Sequence, residues 1–154
     1  MKMRLKGITG QGIKRVAKTI KAQMMLGGRG IDTFTASYLE AMLWSSTDES
    51  TEDGGNPMDE NYTFEDIASE AVEQAADDCE KFEVENAELL DQVSEEFNVD
   101  DDLHGHDFWL TRNGHGVGFW DRGYGDLGDK LADAAVAFGE KYPYVGDDGK
   151  IYID

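Results

Sequence analysis

A chain of 154 residues with 40% hydrophobic and 10% aromatic content is long enough for one buried core and short for two. It is also too apolar for a disordered acidic tail, despite a formal net charge of -19. The single cysteine, Cys79, excludes an intrachain disulfide and a cysteine-rich zinc site, and no run reaches the ~18 to 20 apolar residues of a membrane span.

The N-terminal stretch lacks the unbroken apolar run of a secretory signal, so a reducing cytoplasmic compartment is expected. Residues 1–31 hold eight Lys or Arg (among them Lys14, Arg15, Lys18, Lys21 and Arg29) and no acid, which leaves 33 acids against six bases afterwards. Between Asp32 and Asp102 there are 24 acids and one base, Lys81. Such sign asymmetry marks an interaction surface rather than a folding need. The expected organisation is a single domain over 1–154, with a basic segment at 1–31, an acidic helical region at 32–102 and a hairpin-helix-hairpin unit at 103–154.

In chain order, QGIKRVAKTIKAQMML sets Ile13, Val16, Ala17, Ile20 and Met24 at helical spacing, with the cations turned away, and predicts a basic amphipathic helix over 10–25 stopped by Gly27 and Gly28. DTFTASYLEAMLWSS predicts a second helix with Tyr38, Leu39, Met42 and Leu43 inward. The loop STDESTEDGGNPMDEN follows. Thr63 with Asp66 three positions on reads as the cap of a long third helix. Its stripe runs through Ile67, Ala71, Ala75, Cys79 and Phe82 and resumes at Leu89, Leu90, Val93 and Phe97, as one helix or as two broken near 82–86. Cys79 is expected to be buried and structural, since Asp77, Asp78 and Glu80 around it oppose a thiolate.

Residues 104–123, HGHDFWLTRNGHGVGFWDRG, contain all three histidines. Asn113-Gly114 is a strong hairpin signal, and pairing around it puts Phe108, Leu110, Val117 and Phe119 on a core face. The other face then carries Asp107, Trp109, Thr111 and Trp120, with Trp109 covering Gly118. Either Trp109 or Trp120 could anchor a partner, the alternative being packing under a helix. A helix over 126–141 with Leu127, Leu131, Ala134, Ala135 and Phe138 inward leads to a second hairpin around Gly146–Gly149. The fold class is therefore expected to be α+β: N-terminal helices packed on a small antiparallel sheet of two C-terminal hairpins joined by a helix.

His104 and His106 would share one side of an extended segment, where Asp100, Asp101, Asp102 and Asp121 could add oxygen ligands, which would make a His/Asp metal-dependent enzyme. Against this, His115 falls at the far end of the hairpin and no HExxH motif, EF-hand loop, GxSxG, Walker A or GxGxxG motif is present. The expectation is no bound metal, no cofactor, no catalytic residue and no enzymatic activity.

TASYLEAMLWSSTDES, HDFWLTRNGHGVGFWDRG and LGDKLADAAVAFGEKYPYVGDDGKIY together resemble a widespread family of small acidic uncharacterised proteins of bacteriophages and prophages, over about two thirds of the chain from Asp32 onward. The resemblance implies a phage origin and a bacterial host cytoplasm, and brings no catalytic residues with it. In its charge the chain is similar to phage and plasmid antirestriction proteins and to some CRISPR inhibitors. Residues 64–97 carry 13 acids, and if fully helical they offer about one carboxylate per 4 Å against about one phosphate per 1.7 Å of duplex axis.

The function expected from these readings is nucleic-acid mimicry that inhibits a host DNA-binding defence enzyme or nuclease through its basic groove. Asp66, Glu70, Glu73, Asp77, Glu80, Glu83, Glu88 and Asp91, with Trp109 and Trp120, form the partner-binding set. A solvated helix whose charge only maintains solubility is the bland alternative, disfavoured because Lys81 is the single cation on it. A second alternative is a non-enzymatic adaptor that binds a host protein or nucleic acid through the basic N-terminal helix. Direct nucleic-acid contact is expected only through residues 1–31, and no membrane association is expected.

Overall fold

The computed structural model describes residues 24–154. The basic helix expected over 10–25 lies outside the described residues as far as position 23. From Met24 the chain is extended: strand β1, Met24–Leu26, pairs antiparallel with β2, Arg29–Ile31, through a turn at Gly27 and Gly28. Helix α1, Thr33–Ser45, begins where predicted, because the Asp32 carboxylate accepts the Thr35 N–H at 2.8 Å and satisfies one of the first-turn donors. Its predicted inward stripe of Tyr38, Leu39, Met42 and Leu43 is buried. The acidic loop that follows is pinned by a short hairpin, β3 (Thr47–Asp48) with β4 (Asn56–Pro57), and by a single turn of helix, α2, Met58–Asn61.

The Thr63–Asp66 cap is formed, the Asp66 carboxylate accepting the Thr63 N–H at 2.8 Å, and it closes a 3-10 turn at Phe64–Asp66. The long acidic stretch is two helices, α3 (Ser69–Glu85) and α4 (Ala87–Phe97), broken at Asn86, whose side-chain amide donates to the Phe82 carbonyl at 3.0 Å. After a left-handed residue at Asn98 the chain enters α5, Asp101–Arg112, then a 3-10 turn at Phe119–Asp121, and α6, Asp126–Val136. Strands β5, Pro143–Val145, and β6, Ile151–Ile153, make the expected second hairpin.

The fold is α+β, with one correction to its expected layout. Residues 107–121 are not a hairpin: 107–112 belong to α5, and no strand lies between Pro57 and Pro143. Consequently the hairpins do not join one sheet, and the single β-bridge of β5–β6 to the rest of the chain is a parallel one between Ile67 and Ile151. The physical reason is that Asn113-Gly114, with Gly114 at φ 72, supplies the positive φ that ends a helix as readily as the one that turns a hairpin. Upstream, the Asp100 side chain accepts the Asp102 N–H and starts α5. Phe108, Leu110 and Phe119 are buried, as the hairpin reading also required, but Val117 is 52% exposed at φ 61.

α5 packs along α1 and against α6, and α3 lies on α1 and β6. The centre of the core is aromatic, with Phe82 stacked on Phe108 at 4.1 Å between ring centroids and on Phe119 at 5.8 Å. Cys79 sits fully buried in this core. Burial pushes its thiol well above the ordinary range, and the charges of Glu83 and Asp32 push in the same direction. A thiol-specific reagent at pH 8 should therefore leave Cys79 unmodified in the native protein and label it at the rate of global unfolding in denaturant. Stoichiometric labelling within seconds under native conditions would place the thiol elsewhere.

Candidate functional site

On α3 the apolar stripe of Ala71, Ala75, Cys79 and Phe82 is buried, and helical periodicity turns Glu70, Glu73, Asp77 and Glu80 to solvent. At 100° per residue these four carboxylates fall within an arc of about 80°, along roughly 15 Å of helix axis. On α4 Glu88 is exposed and Asp91 is half-buried.

Arg29 of β2 lies across this face. Its Nη1 donates to Asp77 Oδ1 at 2.7 Å and to the Glu73 carbonyl at 3.4 Å, while Nη2 is 3.6 Å from Glu80 Oε2. One member of the basic segment is thus seated on the acidic helix, in a solvent-exposed pair of the kind that contributes about 0.2 to 1 kcal/mol.

Three residues of the predicted partner-binding set are placed elsewhere. Glu83 is buried on the inner side of α3, close enough to Cys79 for its charge to act on the thiol. Asp66 is occupied in the Thr63 cap. Trp109 is 1% exposed, in edge contact with Tyr38 at 5.2 Å, and its indole N–H donates to Ser45 Oγ at 2.8 Å. It belongs to the core because α5 runs through the middle of the molecule, where all sides of a helix are covered. Trp120, on the 3-10 turn, is 41% exposed and stays available.

The histidines separate for the same reason. On a helix, positions two apart point about 200° from each other. His104 is buried, with Ser94 Oγ at 2.8 Å from Nε2, while the half-buried His106 lies against Trp44, ring centroids 5.7 Å apart. Asp101 is buried, and Asp121 Oδ2 accepts the Val117 N–H at 2.6 Å. Among the described residues no three His, Cys, Asp or Glu side chains are grouped so as to hold a metal ion.

Two ion pairs, each with one fully buried partner, organise the region that was expected to be a hairpin. Fully buried Asp107 accepts two bonds from Arg122, at 2.8 and 3.1 Å. Arg112, also buried, donates to Asp78 Oδ2 at 2.8 Å, to the Tyr38 hydroxyl at 3.0 Å, and to the carbonyls of Gly139 and Phe138 at 2.8 and 3.0 Å. Sequence reasoning also missed a cleft of about 810 Å³ between the N-terminal halves of α1 and α5 and a smaller one of about 400 Å³ beside Trp44. Glu40 and His106 line both. The signal that could have found the smaller one is Trp44 itself, a large apolar side chain left 54% exposed on α1.

No family model, no curated protein and no solved structure matches this chain.

Proposed function

We propose that this is a non-enzymatic, phage-encoded acidic protein that mimics nucleic acid and occupies the basic groove of a host DNA-binding defence enzyme. The observation that carries the reading is the outer face of α3. Glu70, Glu73, Asp77 and Glu80 are exposed there in a row, with about 5 Å of helix axis between neighbours, against about 3.4 Å per phosphate along one DNA strand. Among the described residues Lys81 is the single cation of α3 and α4, and it is drawn toward the Phe138 ring at 5.6 Å. Helices shaped only for solubility intersperse both signs and gain from i,i+4 pairs, whereas these accept repulsion.

The test is to change Glu70, Glu73 and Glu80 to Gln and Asp77 to Asn together. None of the four is in the core, so the fold should persist, and relieved repulsion along the helix should offset the loss of the Arg29 contacts with Asp77 and Glu80, leaving the melting temperature nearly unchanged. Exposed charges act mainly on association rate and salt dependence, so four lost together should weaken binding to a partner captured from bacterial lysate by about tenfold at low salt. Double-stranded DNA should compete with the unmodified protein. Unchanged affinity at low salt, without DNA competition, would make the helix a solubility surface and leave Trp120 as the better partner contact.

A further inference from the structure

A third cleft, of about 580 Å³, lies between α3, the end of α5 and the turn that follows α6. Its size falls within the range of about 300 to 1,000 Å³ that small-molecule sites occupy. The chain has six Lys or Arg after residue 31, and three of them, Lys81, Arg112 and Lys141, line this one cleft. Ala134, Ala137 and Phe138 form an apolar wall beside them.

Arg112 is held in place, its side chain only 1% exposed. It donates through Nε to the Gly139 carbonyl, through Nη1 to the Tyr38 hydroxyl and Asp78 Oδ2, and through Nη2 to the Phe138 carbonyl. These four bonds leave one of its five N–H groups, on Nη2, unspent. They also offset the charge of Asp78, which lines the same cleft. The ammonium groups of Lys81 and Lys141 are in no ion pair among the described residues, although the exposed Glu85 stands four residues from Lys81 on the same wall. Lys81 Nζ and Arg112 Cζ each lie 5.6 Å from the centre of the Phe138 ring, so two cations converge on it. Helix ends attract cations by themselves, but neither α3 nor α6 has one in its last turn, and Arg112 takes the carbonyls beyond α6. The two lysines are therefore not spent on capping.

We infer that this cleft binds a small organic oxyanion, a carboxylate or phosphate monoester on an apolar body, with Lys81, Lys141 and the spare Nη2 donor of Arg112 on the oxyanion and Ala134, Ala137 and Phe138 against the body. A long polyanion would extend over the neighbouring Glu73, Asp77 and Glu80, whose charges repel it, so the ligand is small. The inference does not rest on nucleic-acid mimicry, which uses the outer face of α3.

The experiment titrates the full chain, with its alanine methyl groups carbon-13 labelled, with phenyl phosphate, inorganic phosphate and benzyl alcohol, read by NMR. Phenyl phosphate should shift the Ala134 and Ala137 signals saturably and leave Ala36, which lines the α1–α5 cleft, in place. Inorganic phosphate should bind severalfold more weakly, and benzyl alcohol should produce no saturable shift. Lys81→Gln with Lys141→Gln should weaken phenyl phosphate binding by about tenfold and abolish the rise in melting temperature it gives the unmodified protein. Lys81→Arg with Lys141→Arg, which keeps both charges, should retain binding. Absence of saturation, shifts centred on Ala36, or unchanged affinity in the glutamine variant would overturn the inference. So would benzyl alcohol or inorganic phosphate binding as tightly as phenyl phosphate, since the first removes the oxyanion and the second the apolar body.

Discussion

Replacing Gly105 by Ala should destabilise the protein by about 3 kcal/mol, lowering the melting temperature by roughly 6 to 12 °C in a domain of this size. Gly105 lies on α5 where it crosses α1. A Cβ there would stand 2.8 Å from the Phe34 carbonyl carbon, and closer still to its oxygen and to Ser37 Oγ. Ala normally gains about 1 kcal/mol over Gly in a helix interior, but the obstacle is backbone, which no rotamer change can move. Adding Ser37→Ala should therefore restore little, since the Phe34 carbonyl remains. A melting temperature at or above that of the unmodified protein would mean that the two helices are not in contact here.

The second large effect is expected at Arg112. Changing it to Met keeps most of the volume but leaves the Tyr38 hydroxyl, two carbonyls and Asp78 without their donor. Removing one partner of a buried charge network costs about 3 to 5 kcal/mol, and urea unfolding should read a loss of that size. Lys in its place should recover only part, because an ammonium presents three donors at a point where the guanidinium presents a fork. Removing the partner instead, with Asp78→Asn, should cost less, because the Asp78 side chain keeps about a quarter of its surface in water. If Met at 112 were tolerated, the arginine could not be the tie between α5, α3 and the Phe138–Gly139 turn.

These two positions show where the sequence was readable. α1, α3, α4, α6 and the β5–β6 hairpin each carry one clear period and formed, but the bounds moved: α3 starts at Ser69, because the Thr63 cap closes a separate 3-10 turn, and α6 ends at Val136 rather than at 141. α5 carries no such period. Its polar residues Asp101, His104, Asp107, Thr111 and Arg112 are buried along with Phe108 and Trp109, so no polar stripe marks a helix, and alternation of large and small residues imitates a strand. The pairing that makes those polar residues tolerable inside comes from distant residues, Asp78, Ser94 and Arg122, which local pattern cannot reveal. The acidic face was legible because exposure follows from the apolar stripe opposite it. Glu83 was misjudged for the same reason in reverse: a carboxylate at the edge of the stripe looks solvated until its neighbours are known.

The bridge between Ile67 and Ile151 bears on how the chain acquires its structure during synthesis. Ala68 N–H donates to the Ile151 carbonyl at 2.8 Å, Gln74 reaches the Ile153 carbonyl at 3.4 Å, and the Ile151 side chain is wholly inside the core. The entry to α3 is thus completed by residues made about eighty positions later. A growing chain lacking β6 has α3 without its last wall, and closing so long a loop slows folding relative to the local helices. A stalled or shortened chain ending near Gly149 would therefore expose the aromatic core to chaperones and proteases, whatever the order in which the helices form.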